Sequence, residues 1–99
     1  KVWSIGEMQR VIGTDPVLWV DVWMFNSTDR PRYGTDRAAA WNDLLAARRR
    51  THADFHVLEW SSAARAHPEW YLADHIHYTA AGAKARASAI AGEVARLFA

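Results

Sequence analysis

Hydrophobic positions along this 99-residue chain change between helical and extended spacing, and each change marks an element. Ile5, Met8 (or Gln9) and Ile12 share one face of a helix over Ile5–Ile12. Gly13 supplies a helix-ending residue and Asp15-Pro16 a turn. The run Val17–Phe25 is rich in β-formers and almost continuously apolar, as in a central strand of a parallel sheet covered on both faces. Asn26–Asp36 is polar, with Pro31 and Gly34, and reads as a loop. Asp36 can cap a helix over Arg37–Arg50, whose apolar face is Ala40, Trp41, Leu44 and Leu45, extended by Arg48. A second strand follows at Phe55–Trp60, then an irregular or briefly helical stretch over Ser61–Ala73. Thr79 caps a final Ala-rich helix, Ala80–Phe98, with Ala83, Ala87, Ile90, Val94 and Leu97 as its buried stripe.

Strand, helix, strand, helix is the order of a right-handed parallel α/β unit. Two strands make a poor sheet of that kind, because unpaired edges remain and the apolar run at 17–25 is left half exposed. The pattern therefore predicts that the rest of the sheet lies in a preceding segment or a partner chain. The chain opens on Lys1-Val2-Trp3 without a signal peptide or initiator Met, so it reads as a processed product or as part of a longer protein.

Composition alters this picture little. At 51% hydrophobic and 23% charged, the sequence is that of an ordinary globular unit. A net charge of +1 gives no reason to expect nucleic acid or a membrane surface as partner, and no apolar stretch is long enough to insert across a bilayer. Arg48-Arg49-Arg50 is the one basic run, and it falls where cations offset the carbonyl end of a helix. The chain has no cysteine, which excludes disulfides and thiolate metal sites but leaves the compartment open.

The chemistry concentrates in Asp74-His75-Ile76-His77-Tyr78-Thr79, a turn leading into the last helix. Across such a turn Asp74 can reach His77. A carboxylate accepting from one imidazole nitrogen fixes the tautomer, frees the other nitrogen to take a proton from a hydroxyl, and stabilises the imidazolium that results. Asp-x-x-His alone is common, and a surface or capping role accounts for most instances. Its surroundings here are more specific. The stretch Trp70-Tyr71-Leu72-Ala73-Asp74-His75-Ile76-His77-Tyr78-Thr79-Ala80-Ala81-Gly82-Ala83 resembles the last block of the SGNH, or GDSL-like, hydrolases. With Glu59-Trp60 and His67-Pro68-Glu69-Trp70 upstream, it looks most like the SGNH domains of bacterial envelope O-acyltransferases.

The resemblance spans about Pro16–Ala99 and is most specific from Leu58 to Ala89. It implies a three-layer α/β/α flavodoxin-like domain, of which residues 1–99 supply only the C-terminal strands and helices. It also implies a serine ester mechanism with His77 as general base and Asp74 as its orienting partner, no cofactor, and an extracytoplasmic or cell-envelope setting. Where the family often has Gly after the Asp, this chain has His75, which narrows or polarises the site and is a candidate substrate contact. The family's nucleophile block and its Gly and Asn oxyanion blocks are not recognisable here. Gly13-Thr14-Asp15 imitates the Gly-x-Asn block but precedes a strand, and Asn26 after a strand reads as ordinary loop chemistry. Ser61 and Ser62 lack the glycines of a strand-to-helix elbow and read as local turn formers. Ser4 lies near the chain start, Ser27 reads as loop and Ser88 as helix surface.

Asp74, His75 and His77 also offer three metal donors, but neighbouring loop residues converge poorly, and His52 and His56 have a strand starting between them, so no metal is expected. His67, before Pro68, reads as a loop residue packing on its neighbours. Of the six tryptophans, Trp19, Trp23 and Trp41 read as core, while Trp60 and Trp70 flank the Asp74 loop and are candidates for a substrate-pocket wall. Two functions stay open. One is the C-terminal half of a serine esterase or O-acyltransferase, acting on an ester-bearing small molecule or glycan with a nucleophile from elsewhere. The other is a non-catalytic SGNH-like module that binds acylated sugar or a protein partner.

Overall fold

The computed structural model describes residues 4–27, 30 and 32–98, so Lys1–Trp3 and Pro31 of the sequence reading lie outside the described residues. Helix α1, Ile5–Ile12, begins in a reciprocal capping box between Ser4 and Glu7 and ends at Gly13, whose φ of 77° suits glycine. Ile5 is buried and Met8 is exposed, so the inward face passes through Gln9 instead. Gln9 accepts a hydrogen bond from the Arg48 guanidinium.

Strand β1, Val17–Val20, pairs in parallel with β2, Phe55–Leu58, in the register Val17↔Phe55 to Val20↔Leu58. Both strands are shorter than the apolar runs that encode them. At β1 the reason is Asp21. Its buried carboxylate accepts the Ser61 N–H and the Ser61 hydroxyl, both at 2.7 Å. The Asn42 side chain then takes both backbone groups of Val22, at 2.9 and 2.7 Å, in place of a neighbouring strand. Alternation slips by one here. Val17 and Trp19 pack towards α1 and α2, but beyond Asp21 it is Val22 and Met24 that face α2. Trp23 and Phe25 join Val20 on the opposite side. At the other strand, Trp60 does not extend β2; it opens the short helix α3, Trp60–Ala64.

Helix α2 runs Thr35–Thr51 with Gly34, not Asp36, at its N-cap. The first N–H, that of Thr35, is satisfied from a distance by Asn26 Oδ1 at 3.0 Å, which leaves Asp36 as first-turn charge. A Cβ at Gly34 would lie 2.3 Å from that same oxygen, so the residue must be small. The helix buries Ala38 and Leu45 with Trp41 and Arg48 half-buried, whereas Ala40 is exposed and Leu44 is 57% exposed. The expected face was thus rotated by part of a turn.

After a 3-10 turn at Pro68–Trp70, helix α4 spans Ala80–Phe98. Thr79 caps it as expected, its hydroxyl accepting the Gly82 N–H at 3.1 Å. The buried stripe differs: Gly82 is buried and Ala85 and Ala89 pack inward with Ile90 and Leu97 half-buried, while Ala83, Ala87 and Val94 are exposed. Gly82 sets that rotation, because a Cβ there would sit 2.3 Å from the Trp70 carbonyl oxygen. Only glycine lets the helix approach so closely.

The described residues form a mixed α/β structure of four α-helices around a two-stranded parallel sheet. One apolar cluster joins Ile5, Leu45, Phe55 and Val57 with Val17, Trp19 and Trp41. The other is aromatic, built on Trp60, Ala64 and Tyr71 with Trp23, Phe25, Trp70 and Tyr78. No helix among the described residues is long and apolar enough to cross a membrane.

Candidate functional site

The second cluster is the platform of the site. Tyr71 and Tyr78 form an antiparallel bridge, and the chain between them closes on itself. The Leu72 N–H donates to the His77 carbonyl at 2.8 Å and the His75 N–H to the Leu72 carbonyl at 2.9 Å. Tyr71 anchors the entry by donating to the Trp23 carbonyl at 2.7 Å, and burial pushes its hydroxyl well above the ordinary phenol range. The exit is held by Trp70, whose carbonyl accepts the Thr79 N–H at 2.8 Å.

Inside this loop Asp74 uses its two oxygens differently. Oδ1 accepts the Ile76 and His77 N–H groups at 2.9 and 3.0 Å, which shapes the turn. Oδ2 lies 2.5 Å from His77 Nδ1. The His77 imidazole, then the two backbone N–H groups, hold the Asp74 carboxyl well below the ordinary carboxylate range. A carboxylate can only accept, so Nδ1 carries a proton, and in the neutral imidazole Nε2 presents a lone pair. Among the described residues no hydrogen bond occupies Nε2, and the His77 side chain is 63% exposed. The expected contact between Asp74 and His77 is therefore present, on an exposed imidazole.

The other candidates occupy different places. Trp60 is 2% exposed, stacks on Trp70 at 5.3 Å and donates to the Tyr78 hydroxyl at 2.9 Å. It supports the loop from behind. Trp70 is half-buried between Trp60 and His67, whose ring stacks on it at 3.9 Å. His67 makes a second carboxylate–imidazole pair, Nδ1 to Glu69 Oε2 at 2.7 Å. His75 takes a φ of 65° and reaches the Asn26 carbonyl through Nδ1 at 2.7 Å.

No serine hydroxyl bonds to His77 among the described residues: Ser61 is engaged by Asp21, Ser4 by Glu7, and Ser27 accepts the Arg30 N–H. His52 turns to Thr51 and the Arg48 carbonyl while His56 meets Phe98, so those two do not converge. No group of three metal-ligating side chains is assembled among the described residues.

Sequence reasoning missed Asp21 and Asn42, which end β1, and the Asn26 carbonyl, which receives His75. Asp21 left a signal: a lone acid at the end of an apolar strand needs a partner if it is buried. A backbone carbonyl leaves none. Comparisons with known protein families, with curated proteins and with solved structures find no match.

Proposed function

We propose that this chain supplies the acid–base half of an SGNH-type serine esterase or O-acyltransferase. The observation that carries the reading is the 2.5 Å contact between His77 Nδ1 and Asp74 Oδ2, on a His77 side chain that is 63% exposed. A serine from another segment or chain attacks the ester carbonyl while His77 Nε2 takes its proton, giving a tetrahedral oxyanion. Collapse breaks the bond to the alcohol, which leaves with the proton His77 returns. Water or an acceptor hydroxyl then attacks the acyl-serine, and His77 moves a proton in the same two directions. Asp74, held ionised, keeps Nδ1 protonated and stabilises the imidazolium at each step. The substrate is an ester-bearing small molecule or glycan, and the resemblance suggests a cell-envelope setting.

Two features support a completing segment that brings the serine and extends the sheet towards the three-layer α/β/α flavodoxin-like fold. Among the described residues β1 pairs with β2 on one edge and with no strand on the other. Beside it a groove of about 380 Å³, lined by Val22, Met24, Trp41 and Leu44, leaves apolar side chains uncovered. A fluorophosphonate probe applied to the assembly tests the reading. It is expected to label one serine outside residues 1–99, with labelling lost in His77→Ala. That no serine hydroxyl bonds to His77 among the described residues favours the second reading, a binding module for acylated sugar or a protein partner. An unlabelled assembly that still binds the acylated sugar would establish that one instead.

A further inference from the structure

The residue that departs from the family pattern is also the one with the least ordinary backbone. His75 sits at a φ of 65°, a region that few residues other than glycine enter, Asn, Asp and His more often than the rest. Something must repay that conformation, and the contacts identify it. The ring reaches out of the loop to the Asn26 carbonyl at 2.7 Å and meets Phe25 edge-on. Its own carbonyl accepts the Phe25 N–H at 3.1 Å. Asn26 is itself fastened, since its side chain accepts the first N–H of α2 at 3.0 Å.

We infer that His75 is a positioning residue: through Nδ1 it braces the Asp74–His77 loop against Asn26, and so against the start of α2, fixing where His77 Nε2 points. This rests on the dyad reading of Asp74 and His77. A carbonyl oxygen can only accept, so the His75 ring holds its proton on Nδ1, and the brace survives in both charge states of the imidazole. His75 Nδ1 and His77 Nδ1 are thus both committed to acceptors, one outside the loop and one inside it. The left-handed backbone aims the ring at Asn26, a contact that glycine at this position would lack.

The test uses the 99-residue chain, labelled with ¹⁵N. Long-range imidazole spectra are expected to show neutral His75 as the Nδ1–H tautomer; the Nε2–H tautomer, or a fast-exchanging mixture, would overturn the brace. Amide exchange gives the second readout. His75→Gly suits the backbone but removes the ring, so the Ile76 and His77 amides should exchange about five- to tenfold faster, as expected for losing one hydrogen bond in a locally opening loop. Amides of α4 should be unchanged. His75→Asn tolerates the left-handed conformation and carries an amide nitrogen where Nδ1 stood, so it should restore most of the protection. Unchanged Ile76 and His77 exchange in His75→Gly, or acceleration equal to that of α4, would refute the positioning role. These readouts involve no turnover. They remain valid if the fluorophosphonate probe labels nothing, and labelling can succeed even if the brace fails.

Discussion

Two carboxylate–imidazole pairs lie close together in the chain, and only one is built like a device. In both, Nδ1 meets a carboxylate oxygen, at 2.5 Å for His77 with Asp74 and 2.7 Å for His67 with Glu69. The difference is in what holds the carboxylate. Asp74 is gripped by two backbone N–H groups of its own turn, and its side chain is 26% exposed. Glu69 has only its own backbone N–H to hold it among the described residues, and its side chain is 65% exposed. His67 is positioned instead by stacking on Trp70. An exposed ion pair with free side chains contributes little by itself. A carboxylate fixed by the backbone turns the same contact into a defined orientation, and orientation is what proton transfer needs. The shared Trp70 gives the pairs a common foundation while leaving their roles apart.

The sharpest way to break this comparison is to remove each imidazole in turn from the assembled protein. His77→Ala is expected to lower ester turnover by on the order of 10⁴-fold or more, the scale for losing a triad member. His67→Ala should change it less than about threefold, as for an exposed substitution. Equal losses would mean that the second pair takes part in the chemistry, and equal insensitivity would remove both from it.

A smaller effect probes the foundation. Gly82→Ala drives a methyl group against the Trp70 carbonyl, so it should destabilise the chain by about 1–3 kcal/mol in urea unfolding. It should also loosen the Thr79 contact that closes the dyad loop. Gly92→Ala, on the same helix with nothing within 4 Å, should instead stabilise by about 0.5–1 kcal/mol. If the two changes match, Gly82 is not what seats α4 under Trp70.

The smallest difference is one of titration. Both carboxyls are held below their ordinary values, each first by its histidine; Asp74 is then held by two backbone donors, Glu69 by its own N–H alone. A depressed carboxyl favours the folded state above its unfolded pKa, and that contribution is lost as pH falls through the folded pKa. The Asp74 turn should therefore remain intact on acidification through the ordinary carboxylate range and open only below it. Side-chain carboxyl ¹³C shifts should place Asp74 further below the ordinary aspartate midpoint than Glu69 lies below the ordinary glutamate midpoint. The reverse order would show that the backbone grip on Asp74 is weaker than its geometry implies.

Much of the local structure was legible from residue order. Helix α1, the start of each strand, the Thr79 cap and the Asp74–His77 pairing depend on neighbours within a few residues, where spacing and side-chain chemistry suffice. Less legible were the places where a distant group intervenes. Val17–Phe25 has the composition of one long strand, yet it ends early because Ser61 and Asn42 take the groups around Asp21 and Val22. The start of α2 looked like Asp36, and Asn26 placed it earlier. The buried faces of α2 and α4 differ from those the spacing predicts, because helical periodicity allows several adjacent stripes in an Ala-rich helix. Contact with Phe55 or with Trp70 chooses among them.

The sequence by itself determined that residues 74–79 carry a carboxylate and an imidazole at the mouth of a helix, because both lie within one turn. Only the tertiary structure decided that Trp60 is buried against Trp70 and Tyr78, and that His75 faces Asn26, forty-nine positions away. Such choices rest on which backbone groups remain unsatisfied after the elements pack, and the order of residues does not state that.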